Sequence, residues 1–286
     1  MFNIVQKKVI SIAISLIIIL TGVVCFFVNG GFNLDIDFAG GTQIIITGIK
    51  YDEKAITKSL EEIEGVKVST VQKTEDGVLV KTSFLKDAQK TEVETKIPKD
   101  FKKASVASVE SISPTIGKEL WTSAASSIAI AAILMLLYIT FRFEVLSGIA
   151  AVIALIHDLL IMISFYAIFR IPVNTSFIAA ILTILGYSIN ATIVIFDRVR
   201  ENCRMMKNAM FADVVNTSIW QTLARSINTS LTTLFTLVLL YIIGVESIKE
   251  FALPLIVGVV AGTYSSVFIS GPIWAMIKGD KKASLK

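Results

Sequence analysis

Six stretches of the chain stay apolar for about 20 residues, the length that crosses a hydrocarbon core of roughly 30 Å. They are residues 9–28, 120–139, 145–169, 173–196, 230–244 with a polar extension upstream, and 251–277. Lys7 and Lys8 precede the first run, as in a signal peptide. Its apolar stretch is long for such a segment and no small-x-small cleavage site follows, so a retained anchor is expected. The pattern therefore predicts an α-helical membrane protein with six transmembrane helices.

Between the first two runs the pattern changes. Residues 43–49 are β-rich. Residues 52–64 have helical spacing, with Ile56, Leu60 and Ile63 on one face and Gly65 as the stop. Residues 66–72 alternate like a strand, Glu75-Asp76-Gly77 is a hairpin turn signal, and residues 78–84 are the return strand. Residues 86–96 read as a second helix before Pro98, and residues 104–112 as a last strand. The order β-α-β-β-α-β predicts a ferredoxin-like α+β domain. The division follows: 1–28 first transmembrane helix, 29–119 extracytoplasmic domain, 120–277 five-helix bundle with a cytoplasmic linker at about 201–222, and 278–286 a cytoplasmic tail. A long loop with its own fold more often carries function than merely connects spans.

Composition agrees with a membrane protein. The 286 residues are 54% hydrophobic and 17% charged, whereas soluble domains carry about 25% charge. The formal net charge of +4 is modest, and no nucleic-acid partner is expected. Its distribution sets the orientation. Lys7, Lys8, Arg142, Arg198, Arg200, Arg204, Lys207, Arg225, Lys278, Lys281, Lys282 and Lys286 fall on one side, against Arg170 and Lys249 in the short loops of the other. Both termini are expected in the cytoplasm and the large domain outside. Cys25 and Cys203 suggest no disulfide framework, and a single histidine, His157, excludes multi-histidine metal chemistry.

Polar residues inside the apolar runs are the candidate chemistry. Asp158 lies about 20 Å into the third run at 1.5 Å per residue. An ionisable group at such depth is expensive and is a functional candidate by default. The alternative is a hydrogen bond, to His157 or between helices, that only fixes packing. In the fourth run Thr183, Tyr187, Asn190 and Asp197 share a helical face. The fifth is entered through Gln221, Arg225, Asn228, Thr232 and Thr236, a polar stripe that should face protein or water rather than lipid. Arg225 is either a snorkelling edge arginine or part of an ion path. Asn190 either joins two helices or belongs to the same path, and Asp197 with Arg198 and Arg200 reads as a cytoplasmic anchor. In the sixth run Gly258 and Gly262 make a close-packing face. Gly40-Gly41 suits a tight turn and is too short for a phosphate loop.

Five motifs in order carry a family resemblance. They are Leu34-Asp35-Ile36-Asp37-Phe38-Ala39-Gly40-Gly41-Thr42, Ala154-Leu155-Ile156-His157-Asp158, Gly186-Tyr187-Ser188-Ile189-Asn190-Ala191-Thr192 leading to Phe196-Asp197-Arg198, Gln221-Thr222-Leu223-Ala224-Arg225-Ser226-Ile227-Asn228-Thr229-Ser230, and Gly262-Thr263-Tyr264-Ser265-Ser266. Nearly end to end the chain resembles the SecF family of the RND superfamily. The resemblance implies protein transport in the bacterial cytoplasmic membrane. A SecD partner would draw exported, unfolded polypeptides outward with it, after SecYEG with SecA has threaded them, using a proton or sodium gradient. It implies no enzymatic activity and no cofactor, and the chain has no nucleotide-binding loop.

One position departs from the family. Many members carry aspartate after the asparagine of the fourth run, assigned to ion coupling, and here the residue is Ala191. Alanine carries no proton and balances no charge. The ion-pathway candidates are then Arg225, Asn190, Asp158, His157, Asn228 and Thr232, with a carboxylate on SecD. Oxygen ligands from Asn and Thr would suit a hard cation such as Na⁺. Two other functions stand beside the coupled subunit: a structural partner of SecD without coupling, and one half of an RND-type exporter.

Overall fold

In the computed structural model the described residues are 3–74, 77–142, 144–279 and 282, with the side chain of Arg142 left out. The expected turn residues Glu75 and Asp76, and Lys281 and Lys286, lie outside them. Six helices are long and apolar enough to cross a membrane: Lys8–Val28, Pro114–Phe141, Val145–Phe169, Thr175–Met205, Phe211–Ile243 and Glu246–Lys278. The chain is an α-helical membrane protein, and it divides into two compact units.

One unit comprises Leu34–Ala125 and Pro172–Thr175. It begins with the short helix α2 (Ile36–Ala39), after α1 (Lys8–Val28). Then follow β1 (Gly41–Thr47), α3 (Glu53–Glu61), β2 (Val68–Lys73), β3 (Gly77–Thr82), α4 (Asp87–Asp100) and β4 (Ser105–Ile112). The four strands form an antiparallel sheet in the order β2-β3-β1-β4. Alternation along β1 and β3 puts Ile44, Ile46, Val78 and Val80 on one face, fully buried against Ile56, Leu60, Val93 and Ile97 of the two helices. Each such side chain contributes about 1.5–3 kcal/mol when fully buried. Asp52 caps α3 by accepting a hydrogen bond from the Ala55 amide at 3.1 Å. Pro98 does not stop α4, which runs two residues further. It sits in the last turn, where one lost hydrogen bond is a small cost.

The Asp35–Thr42 motif braces this unit. The Asp35 carboxylate accepts from the Lys81 ammonium at 2.8 and 2.7 Å, and both residues are buried. Asp37 accepts from the amide and hydroxyl of Thr175 at 2.8 and 2.6 Å. It thus caps the first residue of α7 (Thr175–Met205) and holds Pro172–Thr175 in the unit. Gly40 has φ +77°, and a Cβ there would lie 2.8 Å from the Pro114 backbone. Only glycine allows both the turn and that approach.

The other unit holds residues 1–33, 126–171 and 176–286. It comprises α1, most of α5 (Pro114–Arg142), α6 (Val145–Phe169), nearly all of α7, α8 (Phe211–Ile243), α9 (Glu246–Ser265), a π-turn at Ser266–Ser270, and α10 (Gly271–Lys278). α6 and the last span are the most enclosed helices, and α1 and α5 the least. α6 earns its place with small residues, since Ser147, Gly148, Ala150, Ala151 and Ala154 all lie buried.

The segment 201–222, expected to be a helical, amphipathic linker, falls on the end of α7 and the start of α8. α7 continues to Met205, and α8 begins at Phe211. The polar residues that suggested a linker instead pair the two helix ends. Arg198 Nε and Asn202 Nδ2 both donate to Gln221 Oε1, at 2.6 and 2.7 Å. Asn202 also donates to Ser218 at 2.8 Å.

Candidate functional site

Asp158 is 1% exposed and sits in the middle of the helical unit. Its Oδ2 accepts from Ser188 of α7 at 2.5 Å and Ser265 of α9 at 2.8 Å. Its Oδ1 lies 3.0 Å from Nδ1 of His157. The other ring nitrogen, Nε2, is 2.7 Å from Ser15 Oγ on α1. Tyr264 stacks on the imidazole with centroids 6.0 Å apart, and its hydroxyl donates to the Ser11 carbonyl at 2.9 Å. The carboxylate thus joins α6, α7 and α9, His157 links it to α1, and each carboxylate oxygen has a partner, as burial of a polar group demands.

Small residues make the convergence possible. A Cβ on Gly258 would come within 2.4 Å of the Ile184 side chain, and one on Gly262 within 3.0 Å of Ser188. The glycines therefore let α9 lie close along α7, so that Ser188 and Ser265 reach the same oxygen. Gly22 of α1 does likewise against Ser164 of α6 at 2.4 Å. Ser15 and His157 lie two turns back from Gly22 and Ser164 on their respective helices. The paired contacts mean that α1 and α6 run parallel in register. The π-turn follows Ser265 directly, and single π-turns in long helices often accompany functional sites.

A second polar layer joins α7, α8 and α9. Tyr187 donates to Ser230 at 3.2 Å and Thr263 to the same hydroxyl at 2.6 Å, while Thr192 and Ser266 are 3.2 Å apart. The buried line Thr222, Ser226 and Ser230 turns α8 inward.

The remaining candidates point the other way. Arg225, Asn228, Thr232 and Thr236 of α8 are all exposed, as are Asn190 and Thr183 of α7, while Ala191 is half-buried. The Thr232 and Thr236 hydroxyls bond back to carbonyls of their own helix at 2.8 and 3.3 Å. The Arg225 guanidinium and the Asn190 amide make no hydrogen bond or ion pair among the described residues. His157 and Asp158 are thus brought together inside, and Arg225, Asn228, Thr232 and Asn190 lie on the surface. Sequence reasoning missed Ser15, Ser188 and Ser265. Ser11 and Ser15, spaced by four in an otherwise apolar run, were the available signal.

Comparison with known proteins accounts for this architecture. Residues 92–280 match the model of the protein export membrane protein SecD/SecF, C-terminal family. The chain is 34% identical to the protein translocase subunit SecF of Acidaminococcus fermentans, covering 98% of this chain and 99% of that one. It is 41% identical to the SecDF translocase subunit of Bacillus subtilis over 86% of this chain and 34% of that one. The crystal structure of SecDF from Thermus thermophilus superposes with a TM-score of 0.86 at 33% identity, over 97% of this chain. The chain spans 38% of that longer protein. It belongs to the SecD/SecF family of protein-export membrane proteins. Within that family its match runs the length of the separate SecF translocase subunits.

Proposed function

We propose that the chain works as the SecF subunit of a Sec translocase accessory complex. Beside SecD, it uses the proton or sodium gradient to promote export of unfolded polypeptides that SecYEG and SecA have threaded. The observation that carries this reading is the outward polar line of α8. Arg225, Asn228, Thr232 and Thr236 lie exposed on a helix apolar enough to span a membrane. Against hydrocarbon, an arginine in that line costs about 2.5–3.5 kcal/mol or more at mid-span. A second membrane subunit or a water-filled crevice removes the cost. Relatives that carry SecD and SecF in one chain support SecD as that subunit.

In this reading residues 29–119 form a ferredoxin-like domain outside the membrane. The element order β1-α3-β2-β3-α4-β4 and the sheet order β2-β3-β1-β4 support it. Both termini lie in the cytoplasm, which the lysine and arginine distribution supports. Residues 120–277 are the five-helix bundle and 278–286 a cytoplasmic tail. Arg225 and Asn190 meet a SecD carboxylate across the subunit boundary, and His157 and Asp158 lie behind them.

Ala191 favours a second reading, in which the chain stabilises SecD without coupling. Export into membrane vesicles, with the gradient present or collapsed, separates the two. Arg225→Ala is expected to abolish the gradient-dependent part of export while the subunit stays assembled with SecD, and Ala191→Asp to preserve or raise it. Unchanged gradient dependence in assembled Arg225→Ala would leave only the structural role.

A further inference from the structure

The buried His157–Asp158 pair is built to accept a proton without moving a heavy atom. Consider first the neutral imidazole. Nδ1–H donates to Asp158 Oδ1 at 3.0 Å, and Nε2 accepts the hydroxyl hydrogen of Ser15 at 2.7 Å. Now add one proton to the Nε2 lone pair. Nε2–H donates to Ser15 Oγ, and the Ser15 hydroxyl hydrogen turns to the Ser11 carbonyl, 3.2 Å away. That carbonyl also accepts from Tyr264 at 2.9 Å and, within α1, from the Ser15 amide, so the turned hydroxyl shares an acceptor already in use. Both ring nitrogens keep a partner in both states, and the difference is one hydroxyl rotation.

A carboxylate ionised at this depth calls for a counter-charge. With an imidazolium, the pair is neutral as a whole. The titratable groups that the network gathers are Asp158 on α6 and Tyr264 on α9. α1 and α7 bring only the hydroxyls of Ser15 and Ser188. No lysine, arginine or glutamate is hydrogen-bonded or ion-paired to it among the described residues. A sodium ion fits poorly here. The carboxylate oxygens are already taken by three partners, and an imidazole nitrogen is a poor ligand for a hard cation.

We propose that His157, with Asp158 as its counter-charge and Ser15 as a rotating acceptor, is a proton-binding site of this chain. The proposal assigns the proton as the ion at this position. Its part in export rests on the gradient-coupled reading above.

The chain has a single histidine, so one imidazole signal reports the site without assignment. The full chain is labelled with ¹⁵N-histidine, carries a purification tag free of histidine, and is held in lipid nanodiscs. Imidazole ¹⁵N shifts are followed over about pH 4 to 9, the range in which histidine ordinarily titrates. The expected result is a ring that keeps its Nδ1 proton throughout and gains one on Nε2 as pH falls. Ser15→Ala, which removes the acceptor, is expected to lower proton affinity roughly tenfold or more, a charged hydrogen bond being worth about 1.5–3 kcal/mol. Ser15→Thr, which keeps the hydroxyl, is expected to restore it. An imidazole that stays in one charge state over the whole range overturns the proposal, as does identical titration in folded Ser15→Ala. Gradient-dependent export, measured on the same variants, is the separate readout. If the ring titrates as expected and export ignores the gradient, the proton site stands and the coupled reading falls.

Discussion

At the scale of single residues, two kinds of buried polar group differ in how plainly the sequence reveals them. A carboxylate in an apolar run is conspicuous, because nothing but a partner makes it tolerable, and Asp158 stands out for that reason. A serine is not conspicuous. Its hydroxyl can bond the carbonyl four residues back in any helix, as Ser218 does to Val214, so its presence predicts no long-range contact. Of the three serines around the His157–Asp158 pair, Ser15 left only its spacing from Ser11 as a trace, and the contacts of Ser188 and Ser265 emerge from helix packing. Asp35 and Lys81 carry a sharper energetic consequence. Both are buried, 46 residues apart in the chain, and each leaves a lone charge if the other is removed. Asp35→Ala is expected to destabilise the sheet unit by about 3–5 kcal/mol. The joint replacement Asp35→Leu with Lys81→Met should recover most of that loss. Hydrogen–deuterium exchange of the β1 and β3 amides in the intact chain reads both effects. Equal exchange in wild type and Asp35→Ala would show that the ion pair contributes nothing.

At the scale of elements, periodicity located the helices but not their ends. The polar start of α8 looked like a linker because its composition is that of a surface segment. In the structure those residues, with Asn202 and Arg198 of α7, bind one another, and the helix continues through them from Phe211. Nor did the sequence disclose the π-turn at Ser266–Ser270, since no residue type demands one. What the pattern did carry is the polar stripe on α8; the second, inward line came only with the structure. Thr222, Ser226 and Ser230 face the bundle, whereas Arg225, Asn228 and Thr232 face outward. A change to the outer line should leave the chain's own fold intact and weaken its hold on a partner. Asn228→Leu with Thr232→Leu is expected to reduce co-purification with SecD several-fold while membrane levels and thermal stability of the isolated chain stay unchanged. Undiminished co-purification would place the partner on another face.

At the scale of the whole molecule, six apolar runs were enough to fix the membrane class, and six helices of sufficient length occupy those positions. The two-unit division follows from a change of period, from helical runs to alternation and back. The sequence did not indicate that Pro172–Thr175 would join the sheet unit. That depends on a cap supplied by Asp37 from 138 positions away. The family match then ties the architecture to protein export. The most direct test is export in membrane vesicles from a strain depleted of its own SecF, resupplied with this chain and its matching SecD. The account predicts that the chain restores export and that collapsing the ion gradient removes most of the gain. Restoration that is equally large with the gradient collapsed would contradict a coupled subunit.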